Sequence, residues 1–254
     1  YADMSLGLDT TIRVSKQPEI SLGNLGCFDE HGIFPFSPIL HGNHVYAYTT
    51  GWSRRISVSV ETGIGVAVSG DNGKTFRREG AGPILTASLR EPYLVADAFV
   101  RIFDGVFHMW YIFGTAWKQL ENGDQPERTY KIGHATSSDG FVWEKVDGPQ
   151  LIEDVLGSSE SQALPCVVKI GERYHMFFCF RESFNFRKHK DRGYRLGYAW
   201  SDDLLNWIRD DTDLWEKSTR EAWDSDMQCY PHAFEVCGKY YLLYNGNEFG
   251  RYGF

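Results

Sequence analysis

The chain has 254 residues, 42% of them hydrophobic and 15% aromatic, which is enough to bury a sizeable core in one closed domain. Its formal net charge of -8 argues against a nucleic-acid partner, because a polyanion requires a basic surface. No apolar run approaches the length of a membrane span and no signal peptide is visible, so we expect no membrane partner.

The five cysteines are scattered and form no CxxC pair; they are Cys27, Cys166, Cys179, Cys229 and Cys237. Neither a zinc ribbon nor a disulfide scaffold is indicated by this spacing. Buried free thiols in a reducing compartment would explain them, and we therefore expect a cytoplasmic protein.

The N-terminal stretch, residues 4–14, alternates polar and apolar residues as a strand does. No Gly turn and aromatic strand precede it, although both stand in this place in every later unit of the chain. We interpret it as the outer part of a unit whose inner strands are absent.

From residue 41 onward, one pattern repeats about every 65 residues. Aromatic runs follow a turn glycine that stands six residues before an aromatic residue, at Gly42, Gly105, Gly171 and Gly238. Short alternating runs come next (IGVAVS, IGHATS and LGYAWS), and each ends in the Ser of an Asp turn (SGDNGKTF, SSDGFVW and SDDLLNW). One unit is therefore strand, Gly turn, aromatic strand, long loop, strand, Asp turn and a last strand that starts at an aromatic residue.

Four antiparallel strands per unit are typical of a β-propeller blade. We predict an all-β, five-bladed β-propeller with four-stranded antiparallel blades, a single domain over residues 1–254 whose first and last blades are incomplete. In the alternative, the N-terminal strands complete the last blade and close a ring of four. An incomplete ring exposes sheet edges, so pairing with a second chain as a homo-oligomer stays open.

The Asp turns are interpreted as structural. Asp71 can accept hydrogen bonds from turn amides, Gly73 supplies a permissive backbone, and Phe76 packs between sheets. Helical periodicity is weak, with the best candidate a short stretch around residues 218–222, and the basic run RKHKDR at 187–192 is expected to be a solvated loop tip.

Acidic residues recur just upstream of each inner strand, where propeller loops open at one face. They are Asp29 and Glu30, Glu91 and Asp97, Glu160, and Asp224 and Asp226. Carboxylates at the same level of four blades would converge around one funnel, so we expect the chemistry there.

The motifs SSDGFVW, GVFHMWY and GKYYLLY resemble those of the five-bladed propeller clan of arabinanases, β-xylosidases, invertases and levansucrases, glycoside hydrolase families 43, 32 and 68. The resemblance implies cleavage of a glycosidic bond by two carboxyl groups. It implies Glu160 as the proton donor and Asp97 as the Asp that orients it and tunes its pKa. The first-blade base of the clan has no match in this chain, so Asp29 or Asp226 would have to substitute.

Other residues of these loops and strands are candidate substrate-binding residues: Glu30, Glu91, Arg90, Arg181, Trp223, Asp224, Tyr230 and His232. Several candidates have a structural alternative: Asp29 as a turn cap, Glu91 with Arg90 as an ion-paired loop anchor, Trp223 and Tyr230 as blade-seam packing, and His232 as a hydrogen-bonded structural histidine.

His41 and His44 have no clear third metal ligand, so no cofactor or metal is predicted as a requirement, although a channel-bound ion stays open. SGDNGKTF also fits the Asp box of sialidases. That family needs an arginine triad and a Tyr nucleophile, which the sequence does not assign among Arg54, Arg90, Arg101 and Arg181 and the tyrosines.

Two main hypotheses follow. The chain is an enzyme that acts on a small-molecule or oligosaccharide substrate, as a glycoside hydrolase or as a phosphorylase or transferase relative, or it is a non-catalytic carbohydrate-binding propeller. A protein-interaction scaffold is a third hypothesis.

Overall fold

A computed structural model describes residues 2–120, 125–145, 150–211 and 222–254. Its strands are β1 (Ala2–Met4), β2 (Thr11–Val14), β3 (Gly32–His41), β4 (His44–Arg54), β5 (Val60–Ser69), β6 (Arg77–Arg78), β7 (Val95–Phe103), β8 (Val106–Lys118), β9 (Glu127–Ser137), β10 (Glu144–Lys145), β11 (Glu160–Ile170), β12 (Arg173–Glu182), β13 (Arg195–Ser201), β14 (Ile208–Arg209), β15 (Cys229–Val236) and β16 (Lys239–Asn245). The helical segments of these ranges are a 3₁₀ turn, Lys190–Arg192, and one short turn, α1 (Asn247–Gly250). None of the described helices is long and apolar enough to cross a membrane.

The strands pair in chain order within antiparallel sheets. Sheet A contains β3–β6, sheet B contains β7–β10 and sheet C contains β11–β14, while β15–β16 form the two-stranded sheet D and β1–β2 a separate pair. The predicted all-β unit of four antiparallel strands is therefore confirmed three times. The N-terminal strands form a hairpin, in which Ala2 pairs with Val14 across a turn. The predicted helix at 218–222 lies outside the described residues except for Ala222.

The turns that punctuate the repeat form as predicted. Gly42 has a φ of 58°, in the left-handed region that a two-residue hairpin turn requires and that a side chain disfavours. In the first Asp turn, the Asp71 carboxylate accepts hydrogen bonds from the backbone N–H groups of Lys74 and Thr75 and from the Ser69 hydroxyl. A further bond, from the Thr75 hydroxyl, has the largest effect, and together these bonds lower the pKa of Asp71 to about 2. The Asp turn is thus a structural device.

Aromatic side chains join each complete sheet to the next. Tyr48 of sheet A donates a hydrogen bond to the Gly140 carbonyl of sheet B at 3.0 Å and packs edge-on against Trp143. Trp110 of sheet B packs in the same way against Trp207 of sheet C. The aromatic residues that end the second and third Asp turns therefore lie in seams between sheets. Phe76 of the first turn, which was predicted to pack between sheets, packs edge-on against Phe36 of its own sheet.

The five cysteines are free thiols. Cys166, Cys179 and Cys229 are buried, as predicted, and Cys27 is half-buried. Cys237 differs from the prediction, because it lies exposed in the turn between β15 and β16.

Candidate active site

The inner strand of each sheet is interrupted by a β-bulge at the same place. The register shifts lie between Ile33 and Phe36 in β3, Ala96 and Phe99 in β7, Ala163 and Cys166 in β11, and Cys229 and His232 in β15. Proline is the second bulge residue in three of the four strands, where its missing N–H breaks no ladder hydrogen bond. The first bulge residues are Phe34, Asp97, Leu164 and Tyr230, and they line one cavity.

This cavity has a volume of about 630 Å³ and lies where the inner strands begin. Such a volume is in the usual range of small-molecule sites. Its wall contains seven aromatic residues: Phe34, Trp52, Tyr130, Phe186, Tyr194, Tyr230 and Phe249. Its charged lining residues, among those the structure describes, are Asp97, Glu127, Arg128, Arg181, Arg187 and Lys188. The last two belong to the basic run that the sequence assigned to a solvated loop tip.

Asp97 is the one acidic residue among the four first bulge residues. It has a φ of 56°, and its N–H donates a hydrogen bond to the Thr50 hydroxyl at 2.8 Å, which fixes the bulge. The side chain is 8% exposed, and this burial raises the pKa of Asp97 to about 7, although Arg128 and the Leu164 N–H act in the opposite direction. Such a carboxyl group can hold and release a proton near neutral pH.

Arg181 is buried in the cavity wall on β12. Its Nη1 donates to the carbonyls of Glu182 and Ser183, and its Nη2 donates to the Tyr130 hydroxyl at 2.8 Å. The guanidinium lies 3.7 Å from the centre of the Phe186 ring. The aromatic contacts and hydrogen bonds fix its orientation.

Glu127 is the second carboxylate on the cavity wall, at the start of β9. One of its oxygens accepts a hydrogen bond from the Asn185 N–H at 2.7 Å. This bond ties the wall of sheet B to the long loop between β12 and β13.

In each of the three complete sheets, an acidic residue just before or at the start of the inner strand forms an ion pair. These three pairs lie outside the cavity lining. Asp29 pairs with Arg78, Glu91 with Lys145 and Glu160 with Arg209. Each base is the second residue of the outermost strand of the same sheet, so the pair fastens the incoming segment to the outer edge. We call these three pairs the entry clasps. Glu91 is ion-paired, as its structural alternative predicted, but the partner that the structure gives it is Lys145, whereas the sequence had suggested Arg90.

Glu160, expected on the funnel wall, is fully buried in its clasp. Its carboxylate accepts hydrogen bonds from the N–H groups of Val155 and Leu156 at 2.9 Å each, and it lies 2.7 Å from Arg209. The structure does not bring Glu160 to the cavity, because these partners hold it beneath the loop that precedes β11.

The remaining predicted residues also lie outside the cavity lining, apart from Arg181 and Tyr230. Glu30 accepts the Gly26 N–H, Arg90 is exposed before β7, and Asp226 lies 2.5 Å from Lys190. Asp224 accepts the Tyr244 hydroxyl, Trp223 stacks on Tyr244, and His232 packs edge-on against Phe99. Of the twelve predicted site residues, the structure therefore brings Asp97, Arg181 and Tyr230 together around one cavity.

Sequence reasoning missed Glu127 and Arg128, which open β9 after a long loop. It also missed the positions of the bulges in the inner strands. Phe34, Leu164 and Tyr230 each precede proline within an inner strand, and this pattern could have indicated them. In the described residues, no three His, Cys, Asp or Glu side chains are grouped to hold a metal ion.

Comparisons with known proteins give relatives in both sequence and structure. The chain matches no protein-family model. It is 32% identical to the uncharacterized protein MT1551 of Mycobacterium tuberculosis, over 99% of this chain and 79% of the relative. A shorter match, 33% identity over 46% of this chain and 38% of the relative, is to the β-1,2-mannobiose phosphorylase of a Thermoanaerobacter species.

Three solved structures share the fold at low sequence identity. A thermostable family 43 glycoside hydrolase has a TM-score of 0.65 at 17% identity, covering 88% of this chain and 68% of its own. The family 32 β-fructofuranosidase BmSUC1 of Bombyx mori has a TM-score of 0.59 at 18% identity, covering 85% and 43%. A structure from the GH130 family of mannoside phosphorylases has a TM-score of 0.59 at 21% identity, covering 86% and 61%. The resemblance to propeller glycoside hydrolases is thus confirmed at the level of the fold.

Proposed function

The chain belongs to the family of the mycobacterial protein MT1551, and we propose that it is a carbohydrate-active enzyme that cleaves a glycosidic bond in the Asp97 cavity. The observation that carries this proposal is Asp97 itself. It is a desolvated carboxyl group with a pKa of about 7, held by a bulge in the wall of an aromatic-lined cavity. The sequence-based role of Asp97, orienting a neighbouring acid, becomes in this proposal the role of proton donor.

In the proposed reaction, protonated Asp97 gives its proton to the leaving oxygen as the bond from that oxygen to the anomeric carbon breaks. In hydrolysis, water attacks the anomeric carbon and Glu127 accepts a proton from that water. In phosphorolysis, phosphate attacks instead and needs no base. The similar proteins include some named as hydrolases and one named as a phosphorylase, so the test includes both water and phosphate as the attacking group.

Aromatic rings around the cavity support a sugar substrate. Sugars present an apolar ring face that stacks on aromatic side chains, while their hydroxyl groups take hydrogen bonds at the edges. Tyr230 and Phe249, whose ring centres lie 5.9 Å apart, provide such a surface on the side of sheet D.

The proposal includes a five-bladed arrangement within a single domain. The repeat length, the four equivalent bulges and the propeller neighbours support it. Sheets A, B and C are three blades in this arrangement, and the two two-stranded sheets belong to the other two.

A carbohydrate-binding protein without catalysis is the second candidate function. The entry clasps favour it, because the carboxylates expected to form the catalytic pair are engaged in buried ion pairs. Binding without turnover would then use the same aromatic cavity.

The test is the release of sugars from a panel of oligosaccharides and aryl glycosides, with and without phosphate. Wild type is compared with Asp97→Asn, which keeps the size of the side chain, and with Asp104→Asn, a control in the turn between β7 and β8. We expect release by wild type and the control and loss of at least about a hundredfold in Asp97→Asn. Binding of sugars without release from any substrate would favour the second candidate.

A further inference from the structure

We propose that Arg128 and Arg181 form an oxyanion-binding subsite in the cavity wall, for a carboxylate carried by the sugar or for free phosphate. The proposal deepens the proposed function by naming a charged group that the cavity would recognise. It rests on that function for the presence of the sugar, whereas the anion is argued from the charges themselves.

The cavity is basic in an acidic protein. The chain has a formal net charge of -8, yet the described cavity lining contains four basic side chains and two acidic ones. Burial also raises the pKa of Asp97 to about 7, which reduces its negative charge near neutral pH. A cavity with this balance attracts anions and disfavours cations.

Arg128 lies near two indole rings. Its guanidinium carbon is 5.7 Å from the ring centre of Trp52 and 5.4 Å from that of Trp117. Its hydrogen bond, from Nη1 to the Ser59 hydroxyl, is 3.4 Å long, and no described carboxylate is within ion-pair distance. A guanidinium that contacts aromatic rings can still bind a planar or tetrahedral oxyanion through its N–H groups.

Arg181 is a second cation in the cavity wall that has no carboxylate partner among the described residues. It is 4% exposed, it forms no ion pair with a described residue, and its Nε atom has no hydrogen-bond partner there. A buried charge without a counter-charge costs stability unless an opposite charge arrives. Arg181 and Arg128 both line the cavity, and in this proposal one bound oxyanion is the counter-charge for both.

Anion binding at this subsite is coupled to Asp97. Arg128 on β9 is the charged side chain that lowers the pKa of Asp97, and the Asp97 charge in turn raises the pKa of Cys179 on β12 and of Tyr230 on β15. Burial raises the pKa of Cys179 and of Tyr230 far above neutrality, so both are uncharged and Arg128 is the charge that opposes protonation. An anion on Arg128 offsets that effect and keeps Asp97 protonated, so binding takes up a proton and weakens as pH rises above about 7.

The test is isothermal titration calorimetry with sodium phosphate, sodium glucuronate and glucose at low ionic strength, at pH 6 and pH 8. Wild type is compared with Arg128→Gln, Arg181→Gln and Arg173→Gln. Arg173 is the matched control, because it also stacks on an indole, 3.9 Å from the Trp200 ring centre, but is partly exposed and outside the cavity lining. Circular dichroism verifies folding, and if Arg181→Gln does not fold, Arg128→Gln decides.

We expect one of the two anions to bind wild type and Arg173→Gln equally and Arg128→Gln about tenfold more weakly. Preference for phosphate would identify a free co-substrate, and preference for glucuronate over glucose would identify a carboxylate on the sugar. Proton uptake, measured in two buffers of different ionisation enthalpy, should disappear in Asp97→Asn. Absence of anion binding, or binding that Arg128→Gln leaves unchanged, would overturn the subsite.

These outcomes separate the subsite from the proposed function. Arg128-dependent anion binding without release of any sugar would keep the subsite and remove the enzyme. Sugar release by wild type that is lost in Asp97→Asn, without Arg128-dependent anion binding, would keep the enzyme and remove the subsite.

Discussion

Replacement of Glu160 by glutamine separates a structural role from a catalytic one. The carboxylate is fully buried, accepts two backbone N–H groups at 2.9 Å and pairs with Arg209 at 2.7 Å. A glutamine oxygen can still accept hydrogen bonds, but its NH₂ group and the guanidinium are both donors and cannot pair with each other. Glu160→Gln therefore removes a charged hydrogen bond from the interior.

The contacts of Glu160 set the loss of stability that we expect in Glu160→Gln. Loss of a hydrogen bond to a charged group costs about 1.5–3 kcal/mol, and breaking a buried ion pair completely costs about 3–5 kcal/mol. The full penalty is not reached, because Arg209 keeps Asp211 as a partner at 2.9 Å. We expect a loss of about 2–3 kcal/mol in the free energy of unfolding, a fall in Tm of roughly 4–12 °C for a chain of this size.

Thermal unfolding followed by circular dichroism measures the change, with sugar release measured well below Tm. Glu172→Gln is the control, because Glu172 is exposed in the turn between β11 and β12 and should shift Tm by about 1 °C or less. Unchanged Tm together with lost sugar release in Glu160→Gln would refute the structural role and support the proton donor that the resemblance implied.

Three further predictions concern pH and the repeat. The kcat/KM of glycoside cleavage should fall as pH rises through about 7, because burial raises the pKa of Asp97 to about 7 and a proton donor works only when protonated; a profile flat to pH 9 would contradict this. Burial, and to a smaller extent the neighbouring His108, lowers the pKa of His134 to about 4. As pH falls, this imidazole is therefore protonated in the unfolded chain before it is protonated in the folded protein. The contribution of neutral His134 to the free energy of unfolding should be complete above about pH 6.5, and up to about 3 kcal/mol of it should be lost as pH drops to 4. Urea unfolding of wild type and His134→Phe at pH 7.5 and pH 5 measures this, and the same pH dependence in both would exclude His134 as the cause. Asp71→Ala should lower Tm without changing sugar release, since Asp71 holds the turn through a carboxylate whose pKa is lowered to about 2; its contribution is complete above about pH 3.8 and is lost as pH falls through 2. Normal Tm with lost release in Asp71→Ala would instead place the turn in the chemistry.

The repeat could be predicted from the sequence because the turns between its strands depend on residues that are close together in the chain. A left-handed turn glycine such as Gly42, or a Ser and an Asp two residues apart such as Ser69 and Asp71, fixes a turn with few neighbours. Alternating runs between such turns leave few choices for strand pairing.

The site was predicted less well, because the same repeat produced a misleading alignment of acids. Asp29, Glu91 and Glu160 stand at one level of three sheets to meet a base on the outermost strand. That base follows each Asp-turn aromatic residue by two positions, as in Phe76 to Arg78 and Trp207 to Arg209, so the entry clasp was readable from the sequence.

Asp97 was identified, but its role depends on burial and on neighbours from other strands. Its desolvation and the opposing charge of Arg128 are long-range effects that residue order does not show. Arg128 itself follows a long loop with no repeat partner, which is why the sequence pattern gave no reason to select it.

The dependence of cleavage on the leaving group tests the proton donor most directly. Wild type and Asp97→Asn are compared on two glycosides of the sugar released in the panel, one with a sugar or alkyl leaving group and one with a dinitrophenolate leaving group that needs no proton. We predict that Asp97→Asn loses at least about a hundredfold in kcat/KM on the first substrate and little on the second. Equal losses on both substrates, or no loss on either, would contradict the assignment of Asp97 as the proton donor.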